Sequence, residues 1–266
     1  MIRLGTQGWN YDAWVGPFYP SGTRAASYLT TYARAFDTVE VDSTFYAIPA
    51  AKVVRGWTER TPPGFVFALK LPQEITHERR LRDAGDLILQ FLDVSRELGT
   101  KLGPILIQLG PDFGVGELPA LAAFLPLLPP DMDFAVEFRQ RGWINEGVIA
   151  LLREHRVALA LTDGKWIPRH VMLKLAEEPT SDFAYLRWMG PDRSIVDYSR
   201  IQVDRTKEVD SWADALRGMR ERVKVTYGYV NNHFAGHSPA TIRMFQERLG
   251  MPVVKPERMG EQLGLF

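Results

Sequence analysis

Thr38-Val39-Glu40-Val41-Asp42-Ser43-Thr44 begins as a β-branched strand and ends as a polar corner. Successive side chains of a strand point to opposite faces, so Val39 and Val41 share one side while Glu40 and Asp42 share the other. Val136-Glu137-Phe138-Arg139 repeats the arrangement, with Glu137 and Arg139 opposed to two apolar residues. If the apolar faces meet helices, the two glutamates, Asp42 and Arg139 point to the inside of a closed sheet.

Outward from these two runs, short apolar stretches recur near Ile2, Phe65, Pro104, Val157, Phe183 and Val225, with helical patterns or breaker-rich loops between them. Asp83 is placed to cap a helix with Leu87, Phe91, Val94 and Leu98 on one face and Gly99 at its end. Asn145 precedes Val148, Leu151 and Leu152 in the same way. Asp210 opens a segment carrying Trp212, Leu216 and Met219, and Ser238-Pro239 precedes Ile242, Phe245 and Leu249 before Gly250. Eight strand–helix alternations within about 250 residues match the size of a closed barrel. The fold expected is a single α/β domain over residues 1–251, a (β/α)8 TIM-type barrel with room for irregular or missing helices. An open doubly wound sheet fits less well, because no Gly-x-Gly-x-x-Gly follows the first strand. Met189 to Glu208 is long and charged, as lids or mobile loops are. Residues 252–266 form a tail without strand or helix period.

The 266 residues include 32 basic and 32 acidic side chains, 45% hydrophobic residues and no cysteine. Such a balance excludes a global basic field for nucleic acid, and it removes disulfide, thiolate and Cys-ligated zinc chemistry. No apolar run approaches the roughly 18 residues of a spanning helix, and the first residues lack a secretory pattern, so no membrane association is expected and the cytoplasm is the expected compartment.

Barrel ligands meet the C-terminal strand ends, and here those ends are polar. Glu40, Asp42, Lys70, Glu137, Arg139, Asp163, Arg187 and Asn231 are the candidate catalytic residues. Trp9, Tyr46, Gln108, Trp143, Asn232 and His233 are candidate ligand contacts. Buried carboxylates need partners, for which Lys70, Arg139 and Arg187 are the natural choices. An inert ion-pair network plugging the barrel is the competing interpretation. Glu40, Glu137, Asp163 and His233 could supply a metal site, but three nearby cations and the absence of ligand spacing argue against one. Lys70 could form a Schiff base if its pKa were depressed, although a salt bridge to Glu40 or Glu137 is the plainer role. The sequence points to no particular cofactor.

The stretches Gly5-Thr6-Gln7-Gly8-Trp9, Thr38 to Tyr46, Lys70-Leu71-Pro72, Thr76-His77, Gln108-Leu109, Val136 to Arg139 and Asn231-Asn232-His233 resemble the YecE-like family, domain of unknown function 72. The resemblance covers nearly the whole barrel, with Gln7 standing where serine is common. It implies a TIM-type barrel and brings no reaction with it.

Two functional readings follow. One is an enzyme, a hydrolase of phosphoester or glycosidic bonds or an isomerase, acting on a polar or anionic ligand with Glu137 or Asp163 as general acid or base. The other is a nucleic-acid-associated protein, catalytic or only a binding module. The segment Gln262-Leu263-Gly264-Leu265-Phe266 resembles the Gln-Leu-x-Leu-Phe peptide that docks on the DNA sliding clamp. Such a tether raises local concentration on DNA. Packing of Leu263, Leu265 and Phe266 against their own barrel is the alternative.

Overall fold

The computed structural model describes residues 1–259. Its strands are β1 (Ile2–Thr6), β2 (Thr38–Val41), β3 (Val66–Lys70), β4 (Leu102–Gln108), β5 (Phe134–Glu137), β6 (Ala158–Gly164), β7 (Phe183–Gly190) and β8 (Val225–Val230). All neighbours pair in parallel in the order β1-β8-β7-β6-β5-β4-β3-β2. The ends of that order meet in a bridge between Gln7 and Glu40 and a hydrogen bond from Gly8 N to Glu40 O of 2.8 Å. β1 and β2 approach so closely at Gly5 that a Cβ there would stand 2.1 Å from the Thr38 carbonyl oxygen. The molecule is therefore a TIM-type barrel, as the alternating runs require.

The helices outside it are α1 (Tyr28–Tyr32), α2 (Ala51–Glu59), α3 (Gly85–Arg96), α4 (Leu118–Phe124), α5 (Glu146–Glu154), α6 (Arg169–Leu175), α7 (Thr206–Met219), α8 (Asn232–Ala235) and α9 (Ser238–Arg248). Several are short, and the β1–β2 crossover is largely irregular. Asn145 caps α5 as expected, its side chain accepting from Val148 N at 3.1 Å. Asp83 instead takes φ 48°, and α3 begins after it. α7 starts earlier than Asp210, with Asp204 Oδ1 accepting from Thr206 N.

Alternation divides the strand residues into two cores. Val39, Val41, Val136 and Phe138 join the helices in the outer core, whereas Ala68, Ala135, Ala160, Tyr185 and Tyr229 fill the barrel. A tyrosine tier thus lies beneath the strand tops, Tyr185 and Tyr229 having ring centroids 5.3 Å apart. The loop 191–205 is tied down. Gln202 N donates to Ala235 O, the Tyr198 hydroxyl pairs with His233 Nε2 at 3.1 Å, and His237 Nδ1 meets Tyr198 O at 2.8 Å. No helix among the described residues is long and apolar enough to cross a membrane.

Candidate active site at the barrel mouth

Above the tyrosine tier the inward rows end in polar residues, and Arg187 stands at their centre. From β7 its Nε and Nη2 reach Glu40, the latter at 2.7 Å from Oε1, and its Nη1 reaches Glu137 Oε2 at 2.5 Å. The Tyr185 hydroxyl, two residues back on the same face, donates to Glu40 Oε2 at 2.6 Å. Arg139 Nε donates to Glu137 Oε1 at 3.2 Å, and Asp42 Oδ1 lies 3.7 Å from Arg187 Nη2. One guanidinium therefore holds two fully buried carboxylates in fork-like, charge-assisted contacts.

The two glutamates respond in opposite directions. Burial pushes the Glu40 carboxyl up to about 7, Arg187 opposing and Asp42 adding to the rise. Glu137 is equally buried, but Arg187 and Arg139 together outweigh that burial and hold it below the ordinary carboxylate range. Arg187 is held well above its ordinary value, because the carboxylates outweigh its own burial.

Lys70 departs from the expected pairing. Its residue is only 8% exposed, yet its Nζ has no carboxylate within 4 Å and no hydrogen bond among the described residues. It lies 3.6 Å from the centroid of the Phe45 ring, in a cation–π contact. Burial, reinforced by Arg187, lowers the ammonium to about 8. Gln108 ends β4 on the same inward row, buried and without a side-chain hydrogen bond among the described residues. His77 meets the edge of the Phe45 ring at 5.1 Å and bonds Thr76 Oγ1, and burial with Lys70 and Arg139 nearby lowers its pKa.

On the other side a cavity of about 370 Å³ is lined by Glu137, Arg139, Lys165, Trp166, Arg193, Asn231 and His233, among others. Asn231 Nδ2 donates to Gln7 Oε1 at 2.8 Å, and Gln7 Nε2 contacts Met189 Sδ. The His233 pKa is lowered by burial and by Arg193, with a backbone contact at Ile195 opposing the fall.

Seven of the eight candidate catalytic residues thus gather at the mouth, Glu40, Asp42, Lys70, Glu137, Arg139, Arg187 and Asn231. Asp163 does not. It alternates with Thr162 on β6 and points outward, where its Oδ2 accepts from Arg169 Nε at 2.6 Å and from Trp212 Nε1 of α7 at 2.8 Å. Its acid–base role is corrected to a tie between β6 and the helices.

Among the expected ligand contacts, Gln108 and His233 face the mouth. Trp143 is fully buried, stacked on Phe138 at 4.6 Å and donating to Phe113 O, so it presents no free ring. Asn232 is buried too, its Oδ1 accepting from Ser238 N and Oγ at the start of α9. Trp9 sets its edge against Trp57 and Phe67 of the outer core, while Tyr46 is 72% exposed. Gln262, Leu263, Leu265 and Phe266 lie outside the described residues.

Tyr185, Lys165, Trp166 and Arg193 were not singled out from sequence. Alternation with Arg187 could have placed Tyr185 inside the barrel. The other three stand on loops, which carry no period. Among the described residues no three His, Asp or Glu side chains are grouped to hold a metal ion.

The profile of the family described as "Protein of unknown function DUF72" matches residues 3–262. The UPF0759 protein YecE of Escherichia coli K12 is 37% identical over 147 residues, 55% of this chain and 52% of that protein, so the match spans about half the relative's length. The UPF0759 protein YunF of Bacillus subtilis is 24% identical over 258 residues, covering 89% of this chain and 90% of that protein. A solved DUF72 structure from Thermotoga maritima superposes with TM-score 0.79 at 24% identity, over 94% of this chain and 99% of that one. One from Enterococcus faecalis gives 0.75 at 21%, over 95% and 98%. At these identities the solved structures share the barrel, and fold alone assigns no chemistry.

Proposed function

The chain belongs to the DUF72 family, and on that premise we propose that it is an enzyme acting on a small anionic, phosphoester-like ligand held in the barrel mouth. The observation that carries this reading is the charge left over in the cavity. Arg139, Lys165 and Arg193 all reach it, and among the described residues Lys165 and Arg193 have no carboxylate within 4 Å. Of its two acids, Glu137 is paired with Arg187 and Arg139, and Asp192, hydrogen-bonded to Ser194 N and Oγ, keeps its charge, so three cations of the lining face two carboxylates. A ligand bearing negative charge balances that excess between the exposed Lys165 and Arg193 and the half-buried Arg139, through charge-assisted contacts. Asn231 and Gln108 then orient its polar groups. Arg187 holds the site's shape and is already saturated.

A glycosidase is disfavoured. That chemistry needs two carboxyl groups free to give and take protons, and Glu40 and Glu137 are both bound to one guanidinium.

Calorimetric titration with inorganic phosphate and simple phosphomonoesters tests the proposal. Saturable binding that weakens with salt and is lost in a Lys165→Ala/Arg193→Ala double variant is expected. No binding by the wild type, or equal binding by both proteins, would remove the anion site.

The proposal extends to a link with DNA through Gln262–Phe266. Met251, Pro252 and Val254 lie beside Arg3, Phe36 and Phe65 at the N-terminal strand ends. Residues 251–254 thus lie at the end opposite the mouth, and on this reading Gln262–Phe266 are held by a sliding clamp.

A further inference from the structure

We propose that Lys70 is the covalent centre of this site, its amine forming an imine with an aldehyde that carries a phosphate close by. The inference rests on the anion reading above and adds the reacting group to it.

A lysine placed only to hold an anion is kept charged by exposure or by neighbouring acids. Lys70 has neither. Glu40 and Glu137, the acids that could have paired with it, are both drawn to Arg187, and Asp42 also leans toward that guanidinium, at 3.7 Å. In direct contact with Nζ is the Phe45 ring at 3.6 Å, with His77 packed against that ring. The surroundings favour a neutral amine, and desolvation next to another cation is how lysines become nucleophiles. The lowering of the ammonium to about 8 agrees with this geometry.

The position supplies the rest. Lys70 ends β3 on the inward row, with Gln108 on neighbouring β4 buried and unpartnered beside it, an amide able to hold a carbonyl or hydroxyl oxygen. Arg139 joins this wall to the cationic cavity, lining that cavity while lying near enough to His77 to lower its pKa. An aldehyde at Lys70 and a phosphate toward Arg139, Lys165 and Arg193 use both halves of the mouth.

The step is redox-neutral. The Nζ lone pair adds to the carbonyl carbon as the C=O π pair moves onto oxygen, and one N–H proton passes to that oxygen. The hydroxyl then leaves as water with the second N–H proton, and the C=N bond forms. Such an aldehyde has two sources, a free phosphorylated aldehyde or the ring-opened sugar of an abasic site between DNA phosphates.

Intact protein is incubated with sodium cyanoborohydride and either glyceraldehyde 3-phosphate or a duplex containing an abasic site, and adducts are mapped by peptide mass spectrometry. We expect labelling at Lys70 at least tenfold above any other lysine, competed by inorganic phosphate and absent in Lys70→Arg. The reactive arm identifies the source. Absence of a Lys70 adduct in both arms, labelling spread evenly over surface lysines, or labelling indifferent to phosphate overturns the proposal. The wild-type peptide map decides the matter even if Lys70→Arg does not fold. If phosphate binds in the calorimeter while Lys70 stays unlabelled, this inference fails and the anion site stands. If phosphate does not bind, the anion site fails first.

Discussion

Two walls of one mouth treat charge in opposite ways. On the β2–β5–β7 side, Arg187 satisfies Glu40 and Glu137 with contacts of 2.7 and 2.5 Å, and Tyr185 closes the remaining oxygen of Glu40. On the β3–β4 side, Lys70 and Gln108 are also buried and have no such partners among the described residues. Both walls are buried, so exposure to solvent does not set the difference. It comes from arithmetic. A guanidinium has five donors in a rigid fork and takes both glutamates, leaving the ammonium with a ring. On the function proposed above, the saturated wall holds shape and the unsaturated wall receives the ligand.

The comparison breaks most visibly at its centre. Arg187→Met strands two buried carboxylates, and breaking a buried pair by removing one partner costs about 3–5 kcal/mol. Chemical denaturation is expected to show a loss of that size. Lys70→Met, by contrast, removes a desolvated charge that has no ionic partner, and should leave stability at pH 7 equal or higher. A large loss from Lys70→Met together with a small one from Arg187→Met would reverse the assignment of the two walls.

Titration sharpens the same contrast. Glu40 has its pKa raised from 4.5 to about 7, so across that window the folded chain keeps a proton that the unfolded chain releases, and stability falls as pH rises. Lys70 is lowered from 10.5 to about 8, so between those values the unfolded chain holds a proton that the folded chain lacks, and stability rises with pH. Denaturation at a series of pH values should show the fall in wild type and in Lys70→Met. The rise, on the order of 2–3 kcal/mol, should be missing from Lys70→Met alone. A rise that survives in Lys70→Met would assign it to another group.

A smaller effect is expected at Asp163, which the strand-end rule placed with the others. Asp163→Asn weakens the contacts to Arg169 and Trp212 and should cost about 1–2 kcal/mol. It should leave the phosphate titration and the Lys70 labelling unchanged. A change in either would bring Asp163 back into the site.

Asp163 also marks how far the sequence reaches. The strand starts read near Thr38, Phe183 and Val225 match β2, β7 and β8 to the residue, because short apolar runs rich in β-branched or aromatic residues are legible without any tertiary knowledge. The same period correctly turned Glu40, Glu137 and Arg139 inward. For Asp163 only its place at a strand end was used. Applied to Ala158-Leu159-Ala160-Leu161-Thr162-Asp163, the alternation separates it from inward Ala158 and Ala160 and sets it beside outward Leu159 and Leu161. What could not be read was which cation takes which acid. Lys70, Arg139 and Arg187 are equivalent candidates in sequence, and only the three-dimensional fork of Arg187 decides among them. Trp143 and Asn232 were expected at a ligand and are found on neighbouring groups for a similar reason, since an indole or an amide near a rim serves a ligand or a neighbouring backbone equally well until its partner is seen.

The smallest effect on the mouth is expected from a change in the tail. Met251, Pro252 and Val254 run along the N-terminal strand ends, with Arg243 Nε donating to Val254 O at 3.1 Å, so these residues lie at the end that carries neither wall. Deleting Gln262–Phe266 should therefore alter stability, phosphate binding and Lys70 labelling by no more than experimental error. Its whole consequence should fall on a partner. The intact protein is expected to bind the DNA sliding clamp in a calorimetric titration, and the shortened one is expected not to. A chain with 32 basic and 32 acidic residues has little electrostatic reason to find DNA unaided, and a tether supplies the local concentration that charge does not. If both proteins bind the clamp equally, or neither does, the docking role is lost. The aldehyde chemistry then has to be sought among free phosphorylated compounds, where the glyceraldehyde 3-phosphate arm of the trapping experiment becomes the deciding one.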